Sequence, residues 1–298
     1  MAERTDLRIP TRDGVRLAAW YYPATDAPAA APCVILSPGF GGQRAHTLPR
    51  FAERFAAAGL ACLLYDHRGF GDSEGEPRLE ADPFRQMHDM RDVVTFATML
   101  DGVDPARIGL WGNSYSGGHV LVVAAVDRRV RCVVAVVPVT SGSAVVKRLQ
   151  GDVAWEEKTA AFNAARQREI RGEGTQYAPQ STLEETIRYW AQLDPPRENR
   201  ISVISQEMFG EYEPVAYVAR IAPTPLLMVL TDHDLRVFTD LQLEAYAAAR
   251  EPKRLVMLPG GHYDPYITLF EPTVTASLDW FGQHLSPSPP AGCGQPPP

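Results

Sequence analysis

Two alternating apolar–polar runs open the chain, Leu7-Arg-Ile-Pro and Val15-Arg-Leu-Ala-Ala-Trp-Tyr-Tyr22, on either side of Asp13-Gly14. A period of two flanking Asp-Gly predicts an antiparallel hairpin. The rhythm then changes. Short continuous apolar runs at Cys33–Ser37, Ala61–Tyr65, Arg107–Trp111 and Val130–Val139 alternate with helical spacing over Leu48–Leu60, Phe84–Leu100 and His119–Ala125. Continuous Val/Ile/Leu strands separated by helices predict a parallel sheet covered on both faces. From about Ser141 to Glu213 the strand rhythm is lost and mixed charge is scattered among aromatics. It resumes with Pro225–Leu230, a helix around Leu241–Arg250, Arg254–Leu258 and a last helix ending near Leu285. The expectation is an α/β fold, a mostly parallel doubly wound sheet preceded by the hairpin. Residues 1–140 and 214–285 form its core, 141–213 an inserted cap, and the Pro-rich 286–298 a disordered tail.

Composition narrows the function classes. The chain of 298 residues has a net charge of -7 and so offers no cationic field for phosphates, which excludes nucleic acid as the main partner. Cys33, Cys62, Cys132 and Cys293 show no metal-binding spacing, and the first three sit in apolar runs that read as buried strands. The opening Met-Ala-Glu-Arg-Thr-Asp lacks an apolar leader core, and no apolar run approaches the roughly 18 residues of a membrane helix. A cytoplasmic protein without a membrane partner is expected.

Candidate chemistry gathers after four of the strands. Gly112-Asn-Ser-Tyr-Ser-Gly-Gly118 lies between a strand and a helix, as a nucleophile elbow requires. Its tight turn needs small residues two before and two after the nucleophile. Ser114 satisfies this with Gly112 and Ser116, and Ser116 with Ser114 and Gly118. Ser114 is preferred because Gly112 then falls at the strand end. Thr231-Asp-His-Asp234 and Pro259-Gly-Gly-His262 follow two later strands. A serine nucleophile needs a base and a carboxylate to orient it. Ser114, Asp234 and His262 supply them in the order serine, acid, histidine, with Asp232 as the alternative acid. Ser37-Pro-Gly-Phe-Gly-Gly42 is a Gly-rich turn after an early strand, so the amides of Phe40 and Tyr115 are candidate oxyanion donors. Trp155, Tyr189 and Trp190 in the insert, with Tyr263, are candidates to line a substrate pocket. His119 and the His88-Asp-Met-Arg-Asp92 stretch read as packed or solvated helix residues.

With these motifs in view, the chain resembles the α/β-hydrolase superfamily over roughly residues 10–285. The Asp66-His-Arg-Gly-Phe-Gly-Asp-Ser73 turn is similar to one common in that superfamily. The Gly-x-Ser-Tyr-x-Gly elbow is similar to the Xaa-Pro dipeptidyl-peptidase-like and dienelactone-hydrolase-like branches. Together with Gly-Gly-His-Tyr-Asp-Pro-Tyr266 it resembles a group containing fungal polyketide transferases. Ser116 stands where Gly is usual, and Ser37 where many relatives carry His. The resemblance implies catalytic roles for Ser114, Asp234 and His262. The expected activity is a serine hydrolase cleaving a carboxylic ester or thioester through an acyl-enzyme, with no cofactor and no metal. Its partner is a small-molecule substrate, and a homodimer is left open. Acyl transfer, peptide cleavage, or ligand binding without catalysis on the same fold are the alternatives.

Overall fold

The computed structural model describes residues 4–25 and 30–286, the side chains of residues 152–156 excepted. Cys293 and all but the first residue of the expected tail lie outside that range. Strands β1 (Thr5–Pro10) and β2 (Arg16–Tyr22) form the expected antiparallel hairpin, with Leu7 opposite Ala19. Then follow β3 (Ala31–Ser37), α1 (Leu48–Ala57), β4 (Ala61–Tyr65), α2 (Pro83–Ala97), β5 (Val103–Asn113), α3 (Ser114–Val126) and β6 (Val130–Val136). The sixth strand is shorter than the apolar run that encodes it. Val137 turns out of the sheet at φ 40°, and Pro138 has no N–H to continue a ladder.

The segment after β6 holds α4 (Gly142–Ile170), which breaks at Gly151 (φ 75°), two-residue strands β7 (Tyr177–Ala178) and β8 (Ile201–Ser202), α5 (Glu184–Trp190) and α6 (Val203–Gly210). The chain then re-enters the sheet with β9 (Leu226–Thr231), α7 (Thr239–Ala248), β10 (Lys253–Leu258) and α8 (Phe270–Leu285).

Eight strands form one sheet in the order β1-β2-β4-β3-β5-β6-β9-β10. β2 pairs antiparallel with β4, and every pairing from β4 through β10 is parallel. Alternate residues of each central strand feed opposite layers. Cys33, Ile35, Leu110 and Met228 pack with Val93 of α2, Leu121 of α3 and Ala245 of α7. Val34, Leu36, Trp111 and Val229 pack with Phe51 and Phe55 of α1 and Phe281 of α8. Both faces are covered, so the strands read as continuous apolar runs rather than alternating ones. Phe51 lies 4.7 Å from both Trp111 and Phe270 (ring centroids), a geometry that adds about 0.5–1.5 kcal/mol per pair beyond burial. β10 is the sheet edge, and its burial is correspondingly partial.

The inserted segment is tied to loops at the carboxyl end of the sheet. The Ser202 amide donates to the Leu79 carbonyl (2.9 Å) and the Ala81 amide to Ser205 Oγ (2.8 Å). The His46 ring meets the Pro195 carbonyl at 3.0 Å, and the Tyr177 hydroxyl donates to the Arg78 carbonyl at 2.9 Å. No described helix is long and apolar enough to cross a membrane.

Candidate active site

Parallel strands end at one edge of the sheet, and ligands of open α/β folds collect there. β5 runs directly into α3 at Ser114, whose φ of 53° is a left-handed conformation costing about 1–3 kcal/mol in a residue with a side chain. The turn closes because residue 112 is glycine: a Cβ there would stand 2.3 Å from the Ser116 carbonyl oxygen. Gly39 meets the other flank, where a Cβ would lie 3.2 Å from that of Ser114. Ser114 also stands at the amide end of α3, where the helix field favours developing negative charge.

The two serines of the elbow have different surroundings. Ser114 faces a cavity of about 370 Å³, and its Oγ is 3.0 Å from His262 Nε2. Ser116 is fully buried beneath it. The Ser116 hydroxyl donates to the Pro38 carbonyl (2.5 Å) and contacts Ser37 Oγ (3.0 Å) and His67 Nε2 (2.9 Å). It thereby fastens the elbow to the loop that carries Phe40. Burial pushes the His67 ring down to about 4, so it sits there neutral.

The two acids also part. Asp234 Oδ2 is 2.8 Å from His262 Nδ1, and Gln242 Nε2 donates to the same oxygen at 3.2 Å. Asp234 Oδ1 accepts the amides of Arg236 (2.8 Å) and Val237 (3.0 Å). Burial alone would raise this carboxyl, but the His262 ring and the two amides outweigh it and hold the group below the usual carboxylate range. Asp232 is half-exposed and accepts from the Gly260 amide at 2.9 Å, joining the acid loop to the histidine loop. Asp264 accepts the Gly261 amide at 2.7 Å and shapes the turn before His262.

Phe40, Tyr189, Trp190, Phe209, Tyr263 and Tyr266 give the cavity its aromatic walls. Tyr189 stacks on Tyr263 with centroids 4.3 Å apart. Of the residues expected to line a substrate pocket, Trp190 and Tyr263 line this cavity, and the side chain of Trp155 lies outside the described residues. Tyr115 is buried beneath, 4.8 Å from Phe40 and 5.6 Å from Phe209. His119 bonds Tyr212 Oη (2.6 Å) and Gln86 Oε1 (3.0 Å), a packed core histidine as expected.

Three residues at the site carried no motif. Gln242 is a buried amide on the inner face of α7, and a polar residue at an apolar helix position was its only sequence signal. Gln180 and Arg197, both in the insert, donate to the Phe40 carbonyl, the former at 2.9 Å. No group of side chains with metal-binding geometry occurs among the described residues.

Comparison with known proteins places the family and the fold. The family model of the X-Pro dipeptidyl-peptidase (S15 family) matches residues 13–264. Polyketide transferase grgF from Penicillium sp is 31% identical over 297 residues, covering 95% of this chain and 97% of that protein. A thiohydrolase of Eupenicillium brefeldianum is 30% identical over 284 residues, covering 89% of each chain. The crystal structure of the α/β-hydrolase GrgF from Penicillium sp. sh18 superposes with a TM-score of 0.86 at 30% identity, covering 95% of this chain and 99% of that one. Sheet order, elbow and sequence agree: the chain has the α/β-hydrolase fold and belongs to the X-Pro dipeptidyl-peptidase (S15) family.

Proposed function

We propose that the protein cleaves a carboxylic ester or thioester through an acyl-enzyme on Ser114. The observation that carries this reading is the unbroken chain Ser114 Oγ, His262, Asp234, with contacts of 3.0 and 2.8 Å. His262 Nε2 takes the hydroxyl proton as Ser114 Oγ attacks the carbonyl carbon, and the C–O or C–S bond to the leaving group breaks as His262 returns the proton to it. Asp234 keeps Nδ1 protonated and offsets the imidazolium charge. The amides of Phe40 and Tyr115 receive the oxyanion. This role is supported by Gly39, which packs against Ser114, and by the place of Tyr115 in the first turn of α3.

Water or an alcohol can resolve the acyl-enzyme, and the similar proteins bear names of both kinds, a thiohydrolase and a polyketide transferase. The test is fluorophosphonate labelling followed by peptide mass mapping. The expected adduct is on Ser114 and absent from Ser114→Ala. An adduct on Ser116, or none under conditions that label a control hydrolase, overturns the assignment.

A further inference from the structure

Charge is unevenly distributed in this molecule. The chain as a whole carries -7, yet the described residues lining the cavity include Lys158, Arg197 and Arg236 and no Asp or Glu. Many arginines elsewhere pair with carboxylates, as in Arg12–Asp92, Arg16–Glu74 and Arg54–Glu271, and others such as Arg78 and Arg128 bond backbone carbonyls. The cavity cations are not matched in this way. Arg197 lies over the Trp190 ring (4.2 Å to its centroid), bonds Gln180 Oε1 at 2.6 Å, and pairs with no described carboxylate. Its Nε is buried without a hydrogen-bond partner. Arg236 has only a loose contact with the exposed Glu185, at 3.7 Å, and its Nη1 is likewise buried and unpartnered. Lys158 of α4 also lines the cavity.

Unmatched cations in a partly desolvated pocket cost free energy unless an anion completes them. Arg197 bonds the carbonyl of Phe40, Arg236 belongs to the loop of Asp234, and both line the cavity that holds Ser114. Resting on the acyl-enzyme reading above, we infer that the substrate carries an anionic oxyacid group, a carboxylate or phosphate. Arg197, Arg236 and Lys158 hold this group while the scissile carbonyl lies at Ser114. Planar guanidinium forks suit carboxylate and phosphate oxygens. The same lining disfavours a peptide presenting its N-terminal ammonium, which would meet three like charges and no carboxylate among the described lining residues.

Two matched pairs test this and locate the anion. The p-nitrophenyl esters of octanoate and of hydrogen suberate differ by a carboxylate at the acyl end. Octanoyl-pantetheine and octanoyl-phosphopantetheine differ by a phosphate on the leaving group. The expected result is a kcat/KM ratio of about tenfold or more favouring the charged member of at least one pair. That ratio should fall toward unity in Arg236→Gln, Arg197→Gln and Lys158→Gln, each checked for an unchanged melting temperature. Ratios within about twofold in both pairs, with Ser114 still labelled by fluorophosphonate, overturn the anion inference and leave the ester reading standing. If no substrate turns over and Ser114 takes no label, the ester reading falls. Calorimetry on Ser114→Ala with monomethyl suberate against dimethyl suberate then decides the anion site: tighter binding of the monoanion supports it, and equal binding overturns it.

Discussion

The strand tips and the inserted segment supply opposite walls of one cavity, and they are specified differently. At the tips every polar atom of the proposed acid is matched: Asp234 accepts two amides, one glutamine and the histidine ring. Across the cavity, the insert contributes aromatic faces and Arg197, whose Nε is buried without a partner. A carboxylate held by four partners keeps one geometry, which reaction chemistry needs for any substrate. An incompletely satisfied wall gains its remaining partners from a ligand. The tips would accordingly set the rate and the insert the selection.

Asp234→Asn should have the largest effect on that contrast. The amide removes the charge facing His262 Nδ1 and should lower kcat by about 10³–10⁴-fold on every ester tried, since it acts on the base rather than on any substrate. A loss confined to some substrates would break the comparison. Stability follows the same group. The folded protein holds Asp234 below its ordinary value despite burial, so its ionised form stabilises the fold fully above the unfolded carboxylate value of about 3.9. That contribution is lost as pH falls through the lower folded value. Urea midpoints of wild type and Asp234→Asn should therefore differ most near neutral pH and converge in acid.

Trp190→Ala should have an intermediate and uneven effect. It removes the ring under Arg197, so KM for long acyl esters should rise about tenfold while acetyl esters change by about twofold or less. Comparing the two in one assay sharpens the division between rate and selection. Asp232→Asn should be the mildest, with steady-state turnover within about twofold of wild type and only a slight fall in melting temperature. Its side chain is half-exposed and meets the Gly260 amide and the exposed His233 ring rather than His262.

These two regions were also unequally legible in the sequence. β3, β4, β6 and β9 are continuous apolar runs because both faces of the sheet are covered, and such runs are visible without any long-range knowledge. The serine, acid and histidine follow strands in order, so their neighbourhood was legible too. Small residues two positions away fit both Ser114 and Ser116, and the strand end at Gly112 was all that favoured Ser114. Depth separates them, because Ser116 is spent on the Pro38 carbonyl. Asp232 and Asp234 sit two apart on one loop, and only the loop's path, fastened by Thr239 Oγ1 to the Thr231 carbonyl (2.7 Å), turns the second toward the ring. Gln180 and Arg197 were beyond reach. They meet Phe40 across separations of 140 and 157 residues, from a segment with no periodicity to place them.

The fastening of the Phe40 carbonyl by Gln180 and Arg197 bears on how such a protein can change over evolution. In the proposed reading, the peptide unit on one side of Phe40 stabilises the oxyanion while the next is gripped by the segment that also selects the substrate. The insert is therefore not a cassette to be exchanged at will. A lineage acquiring a new insert must also rebuild the grip on residue 40, so new specificities should arise by altering side chains within the existing segment more readily than by replacing it.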